Sequence, residues 1–257
     1  EDAMRQLLDA RYGGMPDATP DDCERMIEAE RQKTVRVIAE VSPMPALTDL
    51  LLLRTDAHNL KVLLKSRMLG RSDADFLEGG LYTREKLTAC VQSANYRGLP
   101  ADFSAALYAL EQRLRTDPQP QHISVAVDYG YLAHACTVAA ALDMADAADF
   151  VSALCDFSNV LTFLRLRAMG AGREDMKDML LPEGGIRHRT LLEAYDLSAD
   201  SLARALTGSK ANAAIHKGLN AMLASGSIAA LEKERDNYLL SLVKGRRYEN
   251  ETIYPVI

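Results

Sequence analysis

The sequence predicts an all-α protein built from tandem helical repeats. Three observations carry this. Apolar residues recur at helical spacing along most of the chain, no Asn-Gly type hairpin turn stands between alternating segments, and one helical stretch returns a hundred residues downstream.

The elements follow in order. "TPDDCERMIEAERQKTVRVIAEVSP" has Thr19 as N-cap and Pro20 at the first helical position. Asp21 and Asp22 face the positive helix end, and Ser42-Pro43 is the stop. A second helix is expected from about Ala46 to Gly70, interrupted or re-capped near Thr55-Asp56. "EGG" at 78–80 breaks the chain, Thr83 caps "REKLTACVQSA", and Pro100 opens "ADFSAALYALEQRLRT". "TDPQPQ", residues 116–121, has two prolines and no core residue, which makes it the best internal boundary. "HISVAVD" alternates like a strand but runs into an Ala-rich stretch, so helix is expected from about Ile123. Helices should continue through Ala148, then span Phe150–Gly170 and Arg187–Tyr195. Ser198 caps "ADSLARALTG", and a last long helix covers Ile228–Lys244.

Composition narrows the function classes. A net charge of −6 argues against a nucleic-acid protein, which needs a basic excess. With 48% hydrophobic and 26% charged residues the balance is that of a globular chain able to bury a core, and no run of about 18 apolar residues is present. No signal peptide is visible. Cys23, Cys90, Cys136 and Cys155 are widely spaced without metal-binding pairs, which fits a reducing, cytoplasmic setting. The chain starts at Glu1 and stops at "YPVI", and both ends are expected to belong to a longer chain.

The stretch "DAHNLKVLLKSRMLG", residues 56–70, is unusual for an amphipathic helix. On a wheel of about 100° per residue, Asp56 and Arg67 share the stripe of Leu60, Leu63 and Leu64, with Asn59 at its edge. His58, Lys61 and Lys65 fall on the opposite side, where water is expected, and with Arg54 they form a basic stripe. That stripe is either a solvated face or a docking surface for an acidic partner.

The copy stands at "DFSNVLTFLRLRAMG", residues 156–170. Asp156, Asn159, Leu164, Arg167 and Gly170 match Asp56, Asn59, Leu64, Arg67 and Gly70 without gaps. "FLEGGLYTREKL" at 76–87 is echoed by "LLPEGGIRHRTL" at 180–191, the Glu-Gly-Gly shifted by five residues. Units are therefore expected at residues 1–117 and 118–233, with 234–257 opening a third.

A catalytic constellation is normally built once, from unlike residues converging on one cleft. Here the same acid, amide and arginine occur twice. Asp56 and Arg67 are about 16 Å apart along one helix, too far to bond each other, so each needs a partner on a neighbouring helix or a helix end. A buried polar group left unpaired costs about 1–3 kcal/mol. The two readings are an architectural role and a recognition surface, and the duplication favours the first.

The two Asp-x-x-Asn helices resemble those of the C subunit of V/A-type rotary ATPases, called the d subunit in eukaryotic assemblies. "LLDARYGG", "EAERQKTVRVIAEVSP" and "GRRYENETIYPVI" resemble successive segments of the same family, so the resemblance covers nearly the whole chain. It implies a funnel-shaped, pseudo-three-fold all-α protein of three similar helical domains, the third incomplete here. It also implies a non-catalytic coupling part without cofactor, set between the central stalk (D/F type subunits) and the membrane rotor ring on the cytoplasmic side. The complex would carry protons or sodium ions. The alternative is a generic helical-repeat scaffold that binds protein partners.

Other motifs do not lead elsewhere. "GGMPDATP" and "GAGRED" lack the lysine of a phosphate-binding loop, and "GAGRE" at 170–174 reads as a helix end. His58, His122, His134, His188 and His216 show no metal-ligand spacing. "RHR" at 187–189 reads as a solvated helix start or an anion site. No serine has a nucleophile-elbow context, so an all-helical hydrolase has no foothold.

Overall fold

The computed structural model describes residue 19 and residues 22–71 and 75–244. "LLDARYGG" and "GRRYENETIYPVI" fall outside the described residues. Within them the chain forms helices α1 (Cys23–Val41), α2 (Pro45–Leu69), α3 (Arg84–Ser93), α4 (Ala101–Thr116), α5 (Pro120–Leu142) and α6 (Ala145–Ala168). After these come α7 (Arg173–Asp178), α8 (His188–Glu193), α9 (Ala199–Ala205), α10 (Asn212–Ser225) and α11 (Ala229–Lys244). No strand occurs among the described residues.

Several boundaries differ from expectation for local reasons. Regular α-helix begins at Cys23, and Thr19 is tied to it through Asp22, whose Oδ2 accepts both the Thr19 N–H and hydroxyl at 2.9 Å. Helix α2 is unbroken through Thr55-Asp56. An aspartate interrupts a helix by bonding its own backbone, and Asp56 has other donors to satisfy it. The gap expected near Ala148 lies at Asp143–Met144, where Asp143 takes φ 50°, a left-handed conformation that aspartate tolerates. Thr83 caps α3 as expected, accepting from the Lys86 N–H. Helices α7 and α10 have no counterpart among the expected elements.

The two repeated helices stop in the same way. Gly70 (φ 64°) and Gly170 (φ 72°) donate to the carbonyls of Arg67 and Arg167, while Arg71 and Ala171 reach back to Ser66 and Leu166. This double closure needs a left-handed residue, which glycine supplies without steric cost.

Helices α4 and α5 pack against each other across the short connection 117–119, and α5 lies across both α2 and α6. Correspondingly, α10 and α11 pack together and α11 lies across α6. One continuous core runs from Leu47 to Leu239, with Phe103, Phe157 and Phe163 fully buried. That core supplies most of the stability of helices whose own apolar stripes are broad rather than sharp. Helices α5 and α6 are long and apolar enough to cross a membrane, with mean hydropathy 1.3. Here both are packed in the bundle, and each carries engaged polar groups: Asp128 and Thr137 on α5, Asp156 and Asn159 on α6.

Candidate functional site

Asp56 and Asn59 lie one turn apart on α2, so both side chains leave the helix on the same side. Both are fully buried. They hold the loop that follows α2 by its backbone. Asp56 accepts the N–H of Leu81 at 2.7 Å and of Tyr82 at 3.3 Å. Asn59 makes a two-point bond with Leu77, donating to its carbonyl and accepting its N–H, each at 2.8 Å. Burial pushes the Asp56 carboxyl up to about 6, and the two N–H donors counter only part of that desolvation. Gly80 lets the loop come this close: a Cβ there would sit 2.2 Å from Asp56 Oδ1. From the other side, Arg31 of α1 donates to the Glu78 carbonyl at 2.6 Å.

The second copy repeats this clamp. Asp156 accepts from Gly185 at 3.1 Å and Ile186 at 2.9 Å. Asn159 accepts the Leu181 N–H at 2.9 Å and donates to the carbonyls of Leu181 and Pro182. Burial raises the Asp156 carboxyl too, opposed by these amides and by the Ser209 hydroxyl. By role, Leu77, Gly80, Leu81 and Tyr82 correspond to Leu181, Gly184, Gly185 and Ile186. The following helices start in the same register, at Arg84 and His188. The Glu-Gly-Gly letters are thus one residue out of register with the structural equivalence, and the extra length in the second copy is taken up beside α7.

The arginines differ between the copies. Arg67 is not on the buried stripe. It leaves the helix end, exposed, and donates to the Val91 carbonyl on α3 and to Glu111 on α4, the latter at 2.6 Å. Glu111 also accepts the Tyr96 hydroxyl, and burial with this carboxylate pushes the Tyr96 phenol upward. Arg167 stacks instead over Phe163, 5.6 Å from the ring centre, and Phe163 meets Tyr195 edge-on. Tyr195 occupies the place equivalent to Val91. Because α8 ends at Glu193, there is no longer α3-like helix end for the guanidinium to cap.

The basic stripe is not a uniformly solvated face. Arg54 and His58 are exposed, but Lys61 and Lys65 are half-buried, and Lys61 donates to Asp128 of α5 at 2.5 Å. Helix α5 covers this side of α2, so the stripe faces a seam with α6. "RHR" is turned to its own surroundings: Arg187 and the His188 N–H bond Glu183, Arg189 bonds Glu193, and His188 Nε2 meets the Leu181 carbonyl. "GAGRE" ends α6 and opens α7, the Gly172 N–H donating to Asp175. Sequence spacing does not reveal that α5 and α6 bring Cys136 and Cys155 together, Sγ to Sγ 3.9 Å; this contact and burial push the Cys155 thiol up, while the contact draws Cys136 down. Among the described residues no group of three or more His, Cys, Asp or Glu side chains is placed to hold a metal ion.

A duplicated loop clamp in an all-α chain calls for comparison with known proteins. The model of the family described as "ATP synthase (C/AC39) subunit" matches residues 1–257. The chain belongs to that family. Among curated proteins it is similar to the C subunit of the A-type ATP synthase of Pyrococcus furiosus, 23% identical over all of this chain and 71% of that protein. It is also similar to the C subunit of the A-type ATP synthase of Pyrococcus abyssi, 21% identical over 92% of this chain and 65% of that one. The family is one of ATP synthase subunits, whose members work within a multi-protein complex.

Proposed function

We propose that this chain is the non-catalytic coupling subunit of a V/A-type rotary ATPase. In this reading it sockets the central stalk onto the membrane rotor ring at the cytoplasmic side and transmits torque between ATP chemistry and proton or sodium transport. The observation that supports it is the duplicated clamp in a chain matched end to end by the family's model. A part that carries torque must resist local opening, and the clamp fastens the loops after α2 and α6 to those core helices through main-chain groups. The division into units 1–117, 118–233 and a third opening at 234 belongs to the same reading, supported by α5 and α11 lying alike across α2 and α6. Arg54, His58, Lys61 and Lys65 are the partner-contact stripe in this proposal, and Asp56, Asn59, Arg67, Asp156, Asn159 and Arg167 the framework behind it.

The test is affinity isolation of the tagged chain from its native membranes under mild detergent. Recovery of stalk and ring subunits in fixed ratio is the expected result. Isolation of the chain with neither would overturn the proposal.

A further inference from the structure

Where the corresponding faces of α2 and α6 approach each other across α5, they leave a pocket of about 260 Å³. Arg54, His58 and Lys61 enter it from α2, Arg165 from α6 and Arg235 from α11, while Asp128 is the one acidic residue in its wall. Several of these cations have a fixed place. Asp128 holds Lys61, Glu232 holds Arg165 at 2.7 Å, and Asp236 holds Arg235 at 2.9 Å. Each of those two arginines engages one N–H in its ion pair, so the rest of its donor fork is available. Arg54 and His58 make no hydrogen bond or ion pair among the described residues. Neutral donors line the same wall: Ser158, Thr162 and Tyr131, the last only 7% exposed, whose hydroxyl also has no hydrogen-bond partner among the described residues.

We propose that this seam is a binding site for a compact multivalent oxyanion of the diphosphate type. Cations reach the pocket from three helices, the Ser158 and Thr162 hydroxyls stand on α6 with Arg165, and the Tyr131 hydroxyl comes from a fourth helix, α5. A tetrahedral phosphoryl group accepts hydrogen bonds from such divergent directions, whereas a planar carboxylate suits a single fork. Semi-enclosure by low-dielectric walls strengthens each contact relative to open surface, and an ion bridging α2, α6 and α11 ties the two copies together. The site shares Arg54, His58 and Lys61 with the proposed partner-contact stripe but does not rest on that reading. Free pyrophosphate and the diphosphate of a nucleotide share this chemistry.

Isothermal titration of the full chain with pyrophosphate, and separately with ADP, at low salt tests the proposal. Saturable one-to-one binding is expected, weakened at least tenfold by Arg54→Gln and by raised salt, and unchanged by Arg97→Gln, which removes an exposed charge elsewhere. Equal affinity for both ligands identifies the diphosphate as the recognised group, and tighter ADP binding assigns the site to a nucleotide; both support the site. No binding of either ligand at millimolar concentration overturns it, as does equal weakening by Arg97→Gln. Binding of a hexaglutamate peptide without pyrophosphate binding also overturns it and leaves the partner-docking reading intact.

Discussion

The two copies of the clamp use the same two side chains for the same task but are enclosed differently. In the first, the Asp56 carboxylate holds two amides, and the loop is backed by one arginine from α1. In the second, Asp156 holds two amides, and the loop is wedged against other backbone as well: a Cβ on Gly184 would lie 2.3 Å from the Ser152 carbonyl and 2.5 Å from Asp156 Oδ1, and one on Gly185 would lie 2.6 Å from the Gly208 carbonyl. The comparison separates what the motif requires from what each copy added. Asp, Asn and a close-approach glycine are the requirement, while the arginine and the outer packing are local.

The largest expected effect comes from the glycines. Gly184→Ala should cost about 3 kcal/mol, because a helix carbonyl cannot move aside, and Gly80→Ala about 2 kcal/mol, because only a side chain stands in the way. Urea denaturation midpoints measure both. Both double variants should be less than additive, because each added Cβ meets its own aspartate, but Asp56→Ala should relieve most of the Gly80→Ala cost and Asp156→Ala only part of the Gly184→Ala cost, since the Ser152 carbonyl still stands in the way. Identical behaviour of the two pairs would erase the proposed difference in enclosure.

Asp56→Ala and Asp156→Ala each leave two loop amides without an acceptor and should each cost about 2 kcal/mol. Thermal melts check both. Unchanged melting with lost stalk binding would instead assign the aspartates to recognition. Arg67→Ala should cost about 1.5 kcal/mol through the Val91 and Glu111 bonds, and Arg167→Ala about 0.5 kcal/mol through its ring contact. Equal losses in the same denaturation experiment would contradict the divergence of the arginines.

The titration of Asp56 tests the same clamp through pH. The folded Asp56 carboxyl, near 6, lies above its ordinary 3.8, so between these values the native state keeps a proton that the unfolded chain has released. Its contribution is complete below the lower value and is lost as pH rises through the upper one. The stability gap between the wild type and Asp56→Asn, which cannot titrate there, should therefore shrink between about pH 4.5 and pH 7. A gap constant across that range would place Asp56 in the ordinary carboxylate range.

Much of this is legible in the sequence because it is periodic. The wheel puts Asp56 and Asn59 among leucines, the gapless repeat predicts the same for Asp156 and Asn159, and Gly70 and Gly170 mark both helix ends. The partners are not legible. The clamp reaches a loop about twenty residues on, and nothing in the spacing tells a buried carboxylate that caps its own helix from one that holds distant amides. The wheel misplaces Arg67 because it ignores position along the helix, and a long side chain in the last turn escapes the buried stripe. It also turns the basic stripe to water, because the packing of α5 over α2 is a long-range fact. Helix α10 escapes a periodicity reading because "NAAIHKGLNAMLAS" is Ala-rich and has few large apolar residues to set a period.

Every donor that Asp56 and Asp156 receive from their loops is a main-chain amide. A fastening that reads only backbone places no demand on the side chains of the loop it holds, apart from one glycine. Leucine and tyrosine stand in one copy where glycine and isoleucine stand in the other, and the grip is the same. Such a unit can be duplicated, lengthened by a short helix and given a new surface without having to rediscover how to fold.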